Sequence, residues 1–464
     1  MSVLIRNGII ATPTVSFSAD ILTEGSKIVK IAKTGTRNDA DIKIDATGCI
    51  VTPGVIDSHT HLELSFAGTS SKETFETGTK AAAFGGVTTL INYAISSQGA
   101  PCLDRIDEDL ASAKRQAYID FGIHGVITDP APDPIERLGE YVARGVPSFK
   151  LFTTYKGAGF MSDDAVLHRV FSFLAQKNGL PGVHAENDAI VEKLTGDFVR
   201  LGKISPAFYP LSRPDYAEEE AMLRAIYIAT LCQSPLYVAH LSTRRAIAAI
   251  HERRMTFRRL FVEACIHHLA LTDEKYRGPE GILYIMSPPL RTKSDQTALW
   301  DGLLRGDIDF VSSDHVAFDR DDKDPGHGDF SKARHGVAGI ELLPAMMYSE
   351  GVVRRNVTLQ QFVRLTSYNP ARIFGMFPRK GNIAVGADAD LMVLDPHKEA
   401  IVKASNLHMN IDHSVYEGMK IQGIPVATIS RGDVVMKDGE FYGKPGRGLF
   451  LERRLDPSLT LDNL

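Results

Sequence analysis

The chain has 464 residues, of which 44% are hydrophobic, 23% charged and 8% aromatic. At about 150 residues per domain there is room for one large domain and a smaller one, or for three. The apolar fraction and a net charge of −5 exclude a mainly disordered chain, and 39 Gly with 23 Pro exclude a coiled coil. The 52 Lys+Arg face 57 Asp+Glu, which argues against a nucleic-acid binder.

Cys49, Cys102, Cys232 and Cys265 are scattered and form no Cys-x-x-Cys pair. A reducing, cytoplasmic setting is therefore expected, not a disulfide framework. The opening Met1–Gly8 stretch is broken by Arg6 before a signal-peptide core can build up, and no window reaches 18 uninterrupted apolar residues. Neither a secretion signal nor a membrane span is expected.

The first fifty residues read as short strands and turns. Leu4–Ile10, Asp20–Thr23 and Ile28–Ile31 are β-like, with a Gly25 turn between the last two. Eight β-like runs then alternate with helical stretches. They lie near Ile50–Asp57, Val87–Ala94, Phe121–Ile127, Ser148–Phe152, Pro181–Ala185, Pro235–Leu241, Leu260–Ile266 and Phe310–Ser313. Helices are expected over Asp163–Gln176, Glu218–Cys232 and Thr243–Arg253. The β texture returns at Asp390–Leu394, Val426–Ser430 and Val434–Met436. Alternating strand and helix predicts a parallel sheet, and eight such units suit a (β/α)8 TIM barrel. A doubly wound open sheet is the competitor on periodicity alone. The polar residues at strand ends favour the barrel, whose chemistry sits there.

Those ends supply a short list: His59 and His61 on the first run, Lys150 on the fourth, His184 on the fifth, His240 on the sixth and Asp314 on the eighth. His59 and His61 are two apart, so a strand points both imidazoles to one face. Imidazole with carboxylate suits zinc, manganese or iron better than calcium or magnesium. Any one of these histidines alone is a weak signal; such residues at the ends of five strands are hard to explain as packing. Lys150 sits inside an apolar run, where burial favours a neutral amine able to add carbon dioxide as a carbamate. A lysine snorkelling to the barrel mouth is the plainer reading of that residue.

The motifs Pro53–His61, Gly78–Ala83, Gly85–Thr89, Ser148–Lys150, Tyr155-Lys156, His184–Asn187, Ser212–Pro214, Ser287–Arg291, Ser313–His315 and Asn369–Arg372 follow one another along the chain. In this order they resemble the amidohydrolase superfamily and, within it, the D-hydantoinase/dihydropyrimidinase family of cyclic amidohydrolases. The resemblance implies two divalent metal ions, most often zinc. His59, His61 and Asp314 would hold one, His184 and His240 the other. A carbamate on Lys150 and a hydroxide would lie between them. It further implies Tyr155 as donor to the developing oxyanion, Asp314 as proton carrier, and backbone groups of the Ser287 segment as holders of the ring amide. The substrate would be a hydantoin or dihydropyrimidine, opened to an N-carbamoyl amino acid. The chain ends (1–52 with 380–443) would form a small β-sandwich beside a barrel over 53–379. Residues 444–464 would be a tail, in possible contact with a neighbouring subunit of a homotetramer or homodimer.

This chain departs from many relatives at Asn92-Tyr93, at Ala264–His268, at Val316-Ala317 and at His335-Gly336. No metal-ligand position is lost, so the departures bear on the substrate and not on the reaction type. Leu62, Leu64, Phe66, Tyr93, Ile95, Phe152 and Phe160 are expected as apolar pocket loops. His267, His268 and His335 are candidate substrate contacts, of which His335 is carried forward; supporting or packing roles are the plainer reading of all three, and His124 is structural. Glu63 stands where dihydroorotases place an Arg for a substrate carboxylate, which argues against an anionic substrate. The alternatives are an allantoinase-like or lactamase-like hydrolase of another cyclic amide, a mononuclear deaminase, and a non-catalytic dihydropyrimidinase-related scaffold.

Overall fold

The computed structural model describes residues 1–35, 39–66, 69–96, 103–128 and 135–460. Eight strands make a parallel barrel: β1 (Val55–Thr60), β2 (Val87–Ala94), β3 (Asp120–Val126), β4 (Ser148–Phe152), β5 (Leu180–His184), β6 (Leu236–Val238), β7 (Leu260–Cys265) and β8 (Phe310–Ser312). Strands adjacent in sequence are adjacent in the sheet. The ring closes where Thr60 bridges His315 just after β8, and the His61 N–H donates to the His315 carbonyl at 2.9 Å. Helices cover the outer face, so β2 and β3 are buried at every position. Side-chain caps start those helices where expected. Asp163 accepts the Val166 N–H ahead of Asp164–Gln176, and Thr243 accepts the Ala246 N–H ahead of Arg244–Arg253. The helix expected from Glu218 begins earlier, at Asp215, directly after Pro214.

The first expected run is in fact two strands. Ile50–Pro53 pairs with Leu391–Leu394 outside the barrel, and β1 begins at Val55. Gly54 is the joint. Its N–H donates to the Asp390 carbonyl at 2.8 Å, and a Cβ there would stand 2.0 Å from the Thr88 hydroxyl oxygen. Only glycine lets the chain pass between the two sheets at this separation.

Both chain ends contribute to one nine-stranded mixed sheet. Ser2–Ala11 pairs with Ser16–Glu24 on one side; on the other it pairs first with Ile42–Asp45 and then with Ile50–Pro53. Lys420–Ser430 and Asp433–Lys437 extend the sheet beyond Leu391–Ile401. Val3, Ile5, Ile21, Val51, Leu391 and Ile429 fill its core. The chain then returns to its own barrel. The Leu451 N–H donates to the Phe121 carbonyl at 2.8 Å and the Arg453 N–H to the Gly145 carbonyl at 3.1 Å. This stretch therefore lies at the N-terminal ends of the strands, away from the strand ends that carry His59, His184, His240 and Asp314. Among the described residues no helix is long and apolar enough to cross a membrane.

A buried charge cluster joins barrel and sheet. Lys380, 2% exposed, donates to Asp120 at 2.7 Å, lies 3.1 Å from Asp388 and also bonds Asp390. Arg431 adds a 2.8 Å bond to Asp120. Burial works against the Lys380 charge, but the surrounding carboxylates outweigh it and hold the amine above its ordinary pKa.

Candidate metal centre and substrate cleft

His59 and His61 emerge on one face at the end of β1, as their spacing predicts. His59 Nε2 lies 3.0 Å and His61 Nε2 3.2 Å from the same oxygen of Asp314. One carboxylate oxygen and two imidazoles thus converge on one point, and all three residues are buried. Burial opposes the Asp314 charge, yet the two histidines hold its carboxyl well below the usual range. Burial drives His61 down to about 4, so its ring is neutral and available as a ligand. Asp314 and His240 both have left-handed backbone, with φ of +47° and +38°. Non-glycine residues seldom adopt this conformation, and such outliers cluster at functional sites.

Lys150 lies at the centre of the constellation. It is 2% exposed, and its Nζ is 3.1 Å from His59 Nε2. The Tyr93 and Phe152 rings flank it at 4.6 Å and 5.2 Å. Burial lowers its pKa, against opposing pulls from Asp314 and Glu263. His184 and His240 complete the far side with ring centroids 4.6 Å apart. His184 Nε2 pairs with Glu186 at 2.7 Å, which leaves Nδ1 as its free ligand atom. Glu186 is in turn paired with Arg213 at 2.6 Å. Burial raises its pKa, but Arg213 and His184 outweigh it and bring the carboxyl down to about 2.

Glu263, on β7, was not among the sequence candidates. Its carboxylate lies 2.9 Å from His59 Nδ1 and accepts the His240 backbone N–H at 2.9 Å. The hydroxyls of Tyr237 and Ser312 also donate to it. His59 is thereby oriented by its ring and His240 by its backbone. The available signal was an acid inside the apolar run Leu260–Cys265, where only a partner from another strand can satisfy it.

Facing the ligands are Tyr155, Ser287 and His335. The Ser287 hydroxyl lies 2.9 Å and the Tyr155 hydroxyl 3.3 Å from the same His335 Nδ1. The Tyr209 hydroxyl supports Ser287 from behind at 2.7 Å. Burial pushes the Tyr155 phenol up to about 12, despite the opposing charge of Arg213, so it remains a proton donor. Tyr155, Ser287 and His335 line the same cleft as His61, Lys150, His184, His240 and Asp314.

The apolar candidates divide. Leu64, Ile95, Phe152 and Phe160 line the cleft. Leu62 turns away into the core, 2.4 Å from where a Cβ on Gly78 would stand. Tyr93 lies beneath the centre, its ring 4.5 Å from that of His59 and 5.3 Å from that of His61. The side chain of Phe66 falls outside the described residues. His267 and His268 are buried, and His268 Nε2 meets the Pro288 carbonyl at 3.1 Å. His124 is held between Ser148 and the Ser58 carbonyl. Glu63 is engaged by Ser112 and Gln116 at 3.0 and 3.1 Å.

The donor set fits a pair of divalent metals. It offers imidazoles with a free nitrogen, a shared carboxylate, and carboxylate partners behind His59 and His184.

A family model described as the amidohydrolase family matches residues 50–435. A D-hydantoinase of Geobacillus stearothermophilus is 40% identical over the whole chain and 98% of its own length. A solved D-hydantoinase structure superposes with a TM-score of 0.94 at 38% identity, covering 98% of this chain and 99% of that one. A dihydropyrimidinase structure from Brevibacillus agri superposes at 0.95 with 37% identity, covering 98% of this chain and 100% of its own. The chain belongs to the amidohydrolase family, in its branch of D-hydantoinase- and dihydropyrimidinase-like cyclic amidohydrolases.

Proposed function

We propose that this protein opens the ring amide of hydantoins or dihydropyrimidines by hydrolysis, releasing N-carbamoyl amino acids. The carrying observation is that Lys150 sits between the His59/His61/Asp314 group and the His184/His240 pair, facing the Tyr155–His335–Ser287 wall across one cleft. Two divalent ions, zinc in this reading, would be held by those histidines, Asp314 and a carbamate on Lys150; when bound they lower the pKa of water from about 15.7 towards 7 and polarise the ring carbonyl.

The chain's own residues do the rest. Asp314 accepts a proton from the attacking water on a carboxylate oxygen. It then delivers that proton to the ring nitrogen as the C–N bond breaks. The Tyr155 hydroxyl leaves His335 Nδ1 and donates to the oxyanion that develops on the carbonyl oxygen. Ser287 and His335 hold the ring amide in register. Leu64, Ile95, Phe152 and Phe160 exclude water and receive the ring substituent. Tyr93 beneath the ligands and the His335-Gly336 wall favour a second reading, the same chemistry on another cyclic amide. The proposal extends to a division into terminal sheet, barrel and tail at about the expected boundaries, to a cytoplasmic location and to a homotetramer or homodimer.

The test is metal content per subunit after purification with bicarbonate, alongside turnover of dihydrouracil and of hydantoins with small and aromatic 5-substituents. Two metals with ring opening are expected, and Lys150→Ala is expected to lose both. Absent metals, or a Lys150→Ala protein that keeps full metal and activity, would overturn the reading. Turnover confined to other cyclic amides would select the second reading.

A further inference from the structure

Lys323 is a buried cation with no carboxylate paired to it among the described residues. It is 1% exposed, on the short helix Arg320–Lys323, and plays no part in the chemistry above. Its Nζ donates to the carbonyls of Ile285 at 2.5 Å, Arg334 at 2.7 Å and Gly336 at 2.8 Å. Burial pulls this amine down to about 7; in its ammonium form it has three N–H donors and no acceptor, and the three carbonyls match them one for one.

The placement of those carbonyls gives the contact its meaning. Arg334 and Gly336 bracket His335, and Ile285 lies two residues before Ser287. The Gly336 N–H also donates to the Ile285 carbonyl, at 3.1 Å. The two segments are otherwise loops, and they meet in the cleft through the Ser287–His335 contact at 2.9 Å. The helix that carries Lys323 is itself anchored, since Lys72 bonds Asp322 at 2.9 Å and Asp412 accepts the Arg320 N–H at 3.1 Å.

We infer that Lys323 is a positioning residue: a point cation that locks the Ser287 and His335 segments together and so sets the width of the polar wall on which the ring amide docks. This deepens the proposed function and rests on it for the identity of the docked group. Arginine cannot substitute. Its planar fork does not match three acceptors gathered around one point, and it is longer by one heavy atom. Methionine fills the volume but leaves the carbonyls unpaired.

The test uses the full-length, metal-loaded enzyme with Lys323→Met, Lys323→Arg and Lys323→Ala. A ring-amide KM raised by about tenfold or more in the Met and Arg variants, with kcat much less affected and metal content unchanged, is expected for the lost ordering contact. Added methylammonium should lower the KM of Lys323→Ala towards wild type, because it restores a compact donor to the same three carbonyls. Hydrogen exchange supplies a readout independent of turnover, with faster exchange expected in 285–288 and 334–336. A Met variant that does not fold leaves the Arg variant to decide. Wild-type KM and wild-type exchange in the Arg variant would overturn the inference. So would a uniform fall in active protein with KM unchanged, which is what a merely structural lysine gives. A wild-type enzyme that opens no ring amide would count against the proposed function instead, and the exchange experiment would still judge the clamp.

Discussion

Glu263 lies 2.9 Å from His59 Nδ1, and this contact decides which nitrogen of His59 faces the cleft. Burial opposes charge on Glu263, but His59 outweighs it and keeps the carboxyl below its ordinary value. An ionised carboxylate only accepts, so Nδ1 carries the hydrogen and Nε2 is left with a free lone pair, 3.0 Å from Asp314. The same carboxylate takes the His240 backbone N–H. It therefore serves both halves of the centre.

Replacement of Glu263 by Gln should weaken metal retention or activity by about 10- to 100-fold, the usual effect of losing such an outer partner. Dialysis against a graded chelator, followed by metal analysis, measures it. Retention equal to wild type would show that His59 is oriented without Glu263.

In the proposed mechanism Tyr155→Phe removes one donor to the oxyanion, and it creates no void. The expected loss is about 10²–10³ in kcat, with KM little changed. Steady-state kinetics on the best ring amide would check it. A change confined to KM would recast Tyr155 as a ground-state contact.

Lys380→Met should destabilise the fold by about 3–5 kcal/mol, because Asp120, Asp388 and Asp390 would be left buried without their central cation. Denaturant unfolding of the two proteins gives the difference. The loss should shrink when Asp390 is also changed to Asn.

Asp107 gives a small pH dependence. It accepts from the Tyr141 hydroxyl at 2.9 Å and is paired with Arg144. Burial would raise its pKa, but Arg144 and Tyr141 outweigh it and hold the carboxyl below its ordinary value. A depressed folded-state pKa means that the unfolded chain binds the proton more readily. The stabilisation is therefore present above the unfolded pKa of about 3.9 and is lost as pH falls through the folded value. The pair is half-exposed, so solvent screening limits its worth to under about 1 kcal/mol. Unfolding free energies from pH 5 to pH 2 should fall less steeply in Asp107→Asn than in wild type.

Much of this molecule was legible from residue order. Strand and helix alternation predicts the barrel because the two periodicities, two and 3.6, are local properties of the chain. His59 and His61 share a face for the same local reason, and Lys150, His184, His240 and Asp314 stand out because charged or ligand-type residues interrupt apolar runs at strand ends. What the tertiary structure decided is pairwise and distant. The split of the first run at Gly54 depends on Thr88 lying against that backbone. Leu62 and Leu64 are near neighbours of one type, yet one packs under Gly78 and the other lines the cleft. The roles of Glu263, Lys323 and Lys380 depend on partners far away in the chain. A buried polar group must be satisfied by whatever atoms folding brings to it, and residue order does not say which atoms those are. Local periodicity determined the scaffold and the strand-end places of His59, His61, Lys150, His184, His240 and Asp314; long-range satisfaction of buried charge determined what holds those side chains in place.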